Sequence, residues 1–94
     1  MEIGDVISKW RNEKGIKQME LALSSNIPVT VLSKIENGKR QPNLNQLSRI
    51  SDNLEIPLPI LLLVSMDINK IPEDKRTIIN NIKNTVNDLV MAII

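Results

Sequence analysis

Chemistry has few places to occur in this sequence. With no Cys and no His, thiolate nucleophiles, zinc fingers, iron–sulfur sites and Ser-His-Asp relays are excluded. Glu13, Glu20 and Asp52 read as parts of solvated helix faces, and no two carboxylates are spaced for general acid and base work. No nucleophile–base pair, metal cluster or phosphate loop can be assembled, so neither an enzyme, nor a cofactor, nor a metal site is expected. What remains is hydrogen bonding and charge. Adjacent basic residues such as Lys39-Arg40 are ordinarily a solvated loop, and they become an interface only when a neighbouring element places them beside a ligand.

The elements that could do so must be built from aliphatic residues. Of 94 residues, 41% are apolar and 24% charged, with 3 Gly and 5 Pro, which is a globular rather than a disordered composition. Phe and Tyr are absent, so Ile, Leu and Val must fill the core. One Trp cannot build the platform on which single-strand and RNA binders stack bases. The net charge is +1, so any affinity for DNA must come from local clustering of cations. Glu2 and Asp5 stand where a signal peptide would be basic. The longest apolar run, from about Pro57 to Val64, is far below the roughly 18 residues a spanning helix needs. These features predict a soluble, cytoplasmic protein with no membrane contact.

Helical periodicity runs through almost the whole chain. Ile3, Val6, Ile7 and Trp10 make one apolar stripe, a pattern that assigns Trp10 to the core, and Gly15 stops that helix after Lys14. A short second helix spans Gln18 to Ser24 with Leu21 and Ala22 inward. Asn26, a residue that tolerates left-handed backbone, marks a tight turn. A third helix begins near Pro28 and ends at Asn37-Gly38, with Leu32 and Ile35 inward. Asn43 can cap a fourth helix that carries Leu44, Leu47, Ile50 and Leu54, and Pro57 and Pro59 introduce a fifth rich in Leu. No strand pattern competes. Ser65 to Ile71 reads as a linker, and Pro72-Glu73-Asp74 as the start of a last helix.

Two helices over 18–24 and 28–37 joined by a tight turn have the dimensions of a helix-turn-helix. Gln18 with Leu21-Ala22, then Ile35-Glu36-Asn37-Gly38-Lys39-Arg40 with Pro42, and the apolar positions Leu44, Leu47, Ile50, Leu54 and Ile56 carry a specific resemblance. The run from about residue 3 to residue 63 resembles the Cro and phage-repressor-like helix-turn-helix family of the xenobiotic-response-element type. The resemblance implies an all-α fold: a five-helix lambda-repressor-like DNA-binding domain over residues 1–66, with an additional C-terminal amphipathic helix in 67–94. It also implies that the third helix enters the major groove of double-stranded DNA, where Val29, Thr30, Ser33 and Lys34 would face base edges. Gln18, Asn37, Lys39 and Arg40 would meet phosphates through side chains and free backbone N–H groups. Arg11 and Glu36 would pair to orient the helix. The chain departs from the family pattern at Asn26 and Glu55, where glycines are usual, at Ser51 and Asn53, and at Pro28.

Residues 67–94 match nothing specific to that family. Ile79, Ile82, Val86, Leu89 and Ile93 follow one another at spacings of three and four, a short heptad-like seam widened by Ile78, Val90 and Ile94. Something must cover so broad a stripe: either the chain's own Leu61-Leu62-Leu63-Val64 segment or the same helix of a second copy. The expectation is a homodimeric repressor on an inverted-repeat operator. The alternative is an antitoxin or adaptor whose last helix binds a protein partner.

Overall fold

In the computed structural model, which describes residues 3–94, six α-helices follow one another with no strand among the described residues. They are α1 (Ile3–Glu13), α2 (Gln18–Ser24), α3 (Val29–Glu36), α4 (Leu44–Leu54), α5 (Leu58–Val64) and α6 (Arg76–Ile93), with short 3-10 turns at Ile68–Lys70 and Glu73–Lys75. One aliphatic cluster holds them together: Val6, Ile7 and Trp10 of α1 meet Leu21, Leu32, Ile35, Ile50, Leu54 and Leu61, all essentially without solvent exposure. Trp10 is a core residue.

The first four helices stop by the same local device. Gly15, Asn26 and Glu55 have positive φ (71°, 54° and 59°). Ile follows each of them, and its N–H bonds back five residues: Ile16 to Arg11, Ile27 to Ala22, Ile56 to Ser51. The left-handed residue reverses the chain, and the Ile behind it drops into or against the core. Gly38 (φ 75°) does likewise for α3, with Lys39 N–H bonding to Lys34. At the other end, α4 begins with a complete capping box: the Asn43 side chain accepts from Gln46 N–H at 2.7 Å, and the Gln46 side chain accepts from Asn43 N–H at 3.0 Å.

Two details run against the sequence reading. Leu44 does not join the packed row of α4. It heads the helix, ahead of the turn that meets the core, and is 66% exposed. The heptad-like seam of the last helix is also split. Val86 packs against the core and Ile79 is half-buried, whereas Ile82, Leu89 and Ile93 face outward beside Ile78. The five residues straddle two adjacent rows of the helix surface, and α6 docks through the row Ile79, Lys83, Val86 and Val90. Val90 is 5% exposed and shares the core of α1 to α5. Polar ties fix this docking: the Trp10 indole N–H donates to Asn87 Oδ1 at 3.4 Å, and Lys83 Nζ donates to the Met66 carbonyl at the end of α5.

The segment read as a linker is likewise pinned. Arg76 donates from Nε to the Ile71 carbonyl at 2.8 Å and from Nη2 to the Asn69 carbonyl at 3.2 Å.

Glu55 carries the backbone cost of its stop. An L-residue in left-handed conformation is strained by about 1 kcal/mol, more than the extra chain entropy that glycine would bring. Its ion pair with Lys14, at 3.9 Å and with the carboxylate largely in solvent, contributes little. Glu55→Gly should therefore raise stability by up to about 1 kcal/mol, a few degrees in Tm for a domain of this size. Asn26→Gly, at a residue already tolerant of this conformation, should leave Tm nearly unchanged. Thermal and urea melts followed by circular dichroism check both.

Candidate nucleic-acid interface

The face of α3 turned away from the core carries one aliphatic side chain, two hydroxyls and one ammonium. Leu32, Ile35 and Glu36 point inward, which leaves Val29, Thr30 and Lys34 exposed and Ser33 half-buried. These four residues, with Gln18 at the start of α2 and Asn37 and Lys39 just past α3, line one shallow concavity. Seven of the eight residues expected to touch nucleic acid are thus brought to one surface. Arg40 does not line it, and stands exposed on the loop beyond.

Behind this surface lies an ionic network. Arg11 Nε and Nη2 donate to the two Glu36 carboxylate oxygens, both at 2.9 Å, in a bidentate fork. The third guanidinium nitrogen, Nη1, donates to the Ile16 carbonyl at 2.9 Å. Side-chain exposure is 11% for Arg11 and 4% for Glu36. The only acid on α3 is therefore turned inward and neutralised, so it does not oppose an anion on the outer face. Gln18 belongs to the same network: its Nε2 donates to Glu36 Oε1 at 3.2 Å. Its amide thus keeps one N–H for an outside acceptor.

The backbone around Lys39 corrects the expectation of free N–H groups there. Asn37, Gly38, Lys39 and Arg40 donate respectively to the carbonyls of Ser33, Ile35, Lys34 and Lys34. All four N–H groups close the end of α3, so any grip on phosphate must come from side chains. Neither α2 nor α3 has a side-chain cap at its N-terminus, in contrast to α4. At the start of α3, Val31 N–H already bonds to the Pro28 carbonyl at 2.9 Å, and the N–H groups of Val29 and Thr30, like those of the first turn of α2, are left to solvent or to an anion.

One functional position escaped the sequence reading. A Cβ at Gly4 would lie 2.1 Å from the Ile35 carbonyl oxygen, so α1 crosses the end of α3 at a distance that only glycine permits. Gly4, like Arg11, lies where α1 meets the end of α3, and its signal was only a glycine inside a helical stripe. Among the described residues no group of three or more His, Cys, Asp or Glu could hold a metal ion, and no helix is long and apolar enough to cross a membrane.

Comparison with known proteins places this geometry. The helix-turn-helix family matches residues 7–61. The ImmF control region 10 kDa protein of Bacillus phage phi105 is 34% identical over 67 residues, which cover 71% of this chain and 74% of the phage protein. The transcriptional regulator ClgR of Mycobacterium tuberculosis is 33% identical over 61 residues, 65% of this chain and 54% of that protein. This chain therefore spans about half the length of ClgR. No solved structure matches it with comparable significance.

Removing one partner of the Arg11–Glu36 fork leaves a buried charge uncompensated. Arg11→Met or Glu36→Gln alone should each destabilise by roughly 3–5 kcal/mol. The double variant should cost less than the sum of the two, and a double-mutant cycle in urea reads the difference. Additive losses would show that the pair contributes no coupling.

Proposed function

Because the chain belongs to the Cro/C1-type helix-turn-helix family, we propose that it is a sequence-specific, double-stranded-DNA-binding transcriptional regulator, a cytoplasmic repressor rather than an enzyme, acting as a homodimer. The observation that carries this reading is the single concavity that gathers Gln18, Val29, Thr30, Ser33, Lys34, Asn37 and Lys39 around the outer face of α3. A relative named for a phage control region and another named a transcriptional regulator support the regulatory role.

The proposed mechanism follows from side-chain chemistry. With α3 in the major groove, Val29 and the Thr30 methyl meet a thymine methyl. The Thr30 and Ser33 hydroxyls bond base edges, and Lys34 donates to guanine O6 or N7. Gln18, Asn37, Lys39 and Arg40 hold phosphates and fix the register. The outward row of α6, Ile78, Ile82, Leu89 and Ile93, meets the same row of a second copy about a two-fold axis. Two recognition helices then address an inverted repeat with half-site centres about 10 base pairs apart, or a further helical turn apart.

Thr30→Ala and Lys34→Ala should each weaken binding to a selected operator by about 1–3 kcal/mol while sparing non-specific DNA. Arg40→Ala should weaken both and flatten the salt dependence by about one phosphate contact. Titration of selected and random duplexes at several salt concentrations separates these cases. A uniform loss for Lys34→Ala would reassign it to phosphate.

Dimerisation has its own test, and because Val90 is part of the core, point changes are cleaner than truncation. Ile82→Asp with Leu89→Asp should give a folded monomer by sedimentation with reduced operator affinity. A wild type that sediments as a monomer at tens of micromolar, with operator affinity untouched by the double change, would instead assign the row to a different protein.

A further inference from the structure

We propose that the cavity between α5 and α6 is a binding site for a small organic carboxylate, held by Lys83 and Asn87. The cavity measures about 180 Å³ and is lined by Val64, Ile68, Asn80, Lys83, Asn84 and Asn87. Lys83 is the anomaly that identifies it. The residue is 7% exposed, yet its ammonium, with three N–H donors, has a single protein acceptor, the Met66 carbonyl. The ion pairs among the described residues are Arg11–Glu36 and Lys14–Glu55, so none of the described carboxylates lies within 4 Å of Lys83. A buried cation with spare donors is unfavourable unless an anion or further acceptors meet it.

Asn87 adds to the donor excess. The indole N–H of Trp10 can only donate, so the Asn87 atom facing it at 3.4 Å is the amide oxygen. That bond fixes the amide flip and leaves the Asn87 N–H donors for other acceptors. The cavity therefore combines an ammonium and an oriented amide with an aliphatic wall of Val64 and Ile68. Asn80 and Asn84 are exposed and form its mouth. A carboxylate with a short hydrocarbon tail matches both halves, whereas an inorganic anion would leave the aliphatic wall unused. In size, a 150 Å³ cavity takes benzene, so this one, open at its mouth, suits a ligand of about six to nine non-hydrogen atoms.

The ligand would touch both α5 and α6 and would sit one hydrogen bond from Trp10, the only Trp in the chain. Trp10 emission is therefore the natural readout, and none of these measurements depends on DNA. The full chain is titrated with butyrate, benzoate and inorganic phosphate at constant ionic strength, with thermal melts in parallel. The expected result is a saturable change in emission and a rise in Tm with butyrate or benzoate, and none with phosphate. Asn87→Asp keeps the acceptor for Trp10 but sets a permanent carboxylate four residues from Lys83 on the same helix face. It should remain folded and lose carboxylate affinity at least about tenfold, because the built-in anion competes for the ammonium. Lys83→Met should lose it too. If Lys83→Met fails to fold, Asn87→Asp decides alone. Emission that never saturates, equal affinity in Asn87→Asp and wild type, or phosphate binding as tightly as the carboxylates would overturn the proposal.

Discussion

The fork between Arg11 and Glu36 joins three helices at one point. Arg11 belongs to α1, Glu36 is the last residue of α3, and Gln18, the first residue of α2, donates to the same carboxylate. The net worth of such a pair is small, because the loss of hydration nearly offsets the attraction. Direction does not cancel. A planar guanidinium donating through two parallel N–H groups permits one orientation of the carboxylate, and that carboxylate is rigidly part of α3. The Ile16 carbonyl takes the remaining guanidinium nitrogen, so the stop of α1 and the seat of α3 are set by the same side chain. Apolar packing alone would leave α3 freer to roll about its axis. Roll is the degree of freedom that decides which side chains face outward.

Glycine and left-handed residues complete that constraint from the backbone side. Gly4 lets α1 approach the Ile35 carbonyl, and Gly38 folds the following loop back so that its N–H groups close α3. The result is a helix of eight residues, far too short to be stable alone, clamped at its end by a glycine contact, an ion pair and a hydrogen-bonded stop. Its outward residues are free of structural duty. Among the described residues Thr30, Ser33 and Lys34 make no side-chain hydrogen bond, which leaves their polar groups available to a ligand.

Much of this was legible in the sequence, for identifiable reasons. The apolar spacing of α1 to α5 is strongly periodic, and Gly15, Asn26 and Asn43 are residue types with one obvious local use. Glu55 was visible only as a glycine that had been replaced. Leu44 misled because spacing cannot tell whether the first residue of a helix lies over the core or short of it. Gly4 was invisible as a contact, since its partner lies more than thirty positions away. The last helix was ambiguous for a physical reason: apolar residues occupy two adjacent rows, so a heptad can be drawn through either or across both. The row that docks contains Lys83, whose aliphatic stem packs while its head finds a carbonyl. A lysine ordinarily faces solvent, and a seam drawn through apolar residues alone therefore passes over Lys83 and straddles the two rows.

The choice of rows on α6 has a consequence for the assembly. The row turned inward is the more polar one, tied down by Lys83 and Asn87, and the row turned outward is the more apolar, with Ile78, Ile82, Leu89 and Ile93 in solvent. Burying a large aliphatic side chain is worth roughly 1.5–3 kcal/mol, so an isolated chain forgoes a large gain by docking α6 this way round. That arrangement is economical if the outer row is covered in the working state. Whatever covers it is held in fixed relation to α3, because Trp10 bonds to Asn87 on α6 and its chain neighbour Arg11 bonds to Glu36 on α3. Two consecutive residues of α1 thus connect the outer face of the last helix to the outward surface of α3. Were the covering element a second copy, the separation of the two α3 helices would be set through this rigid path rather than by a flexible linker.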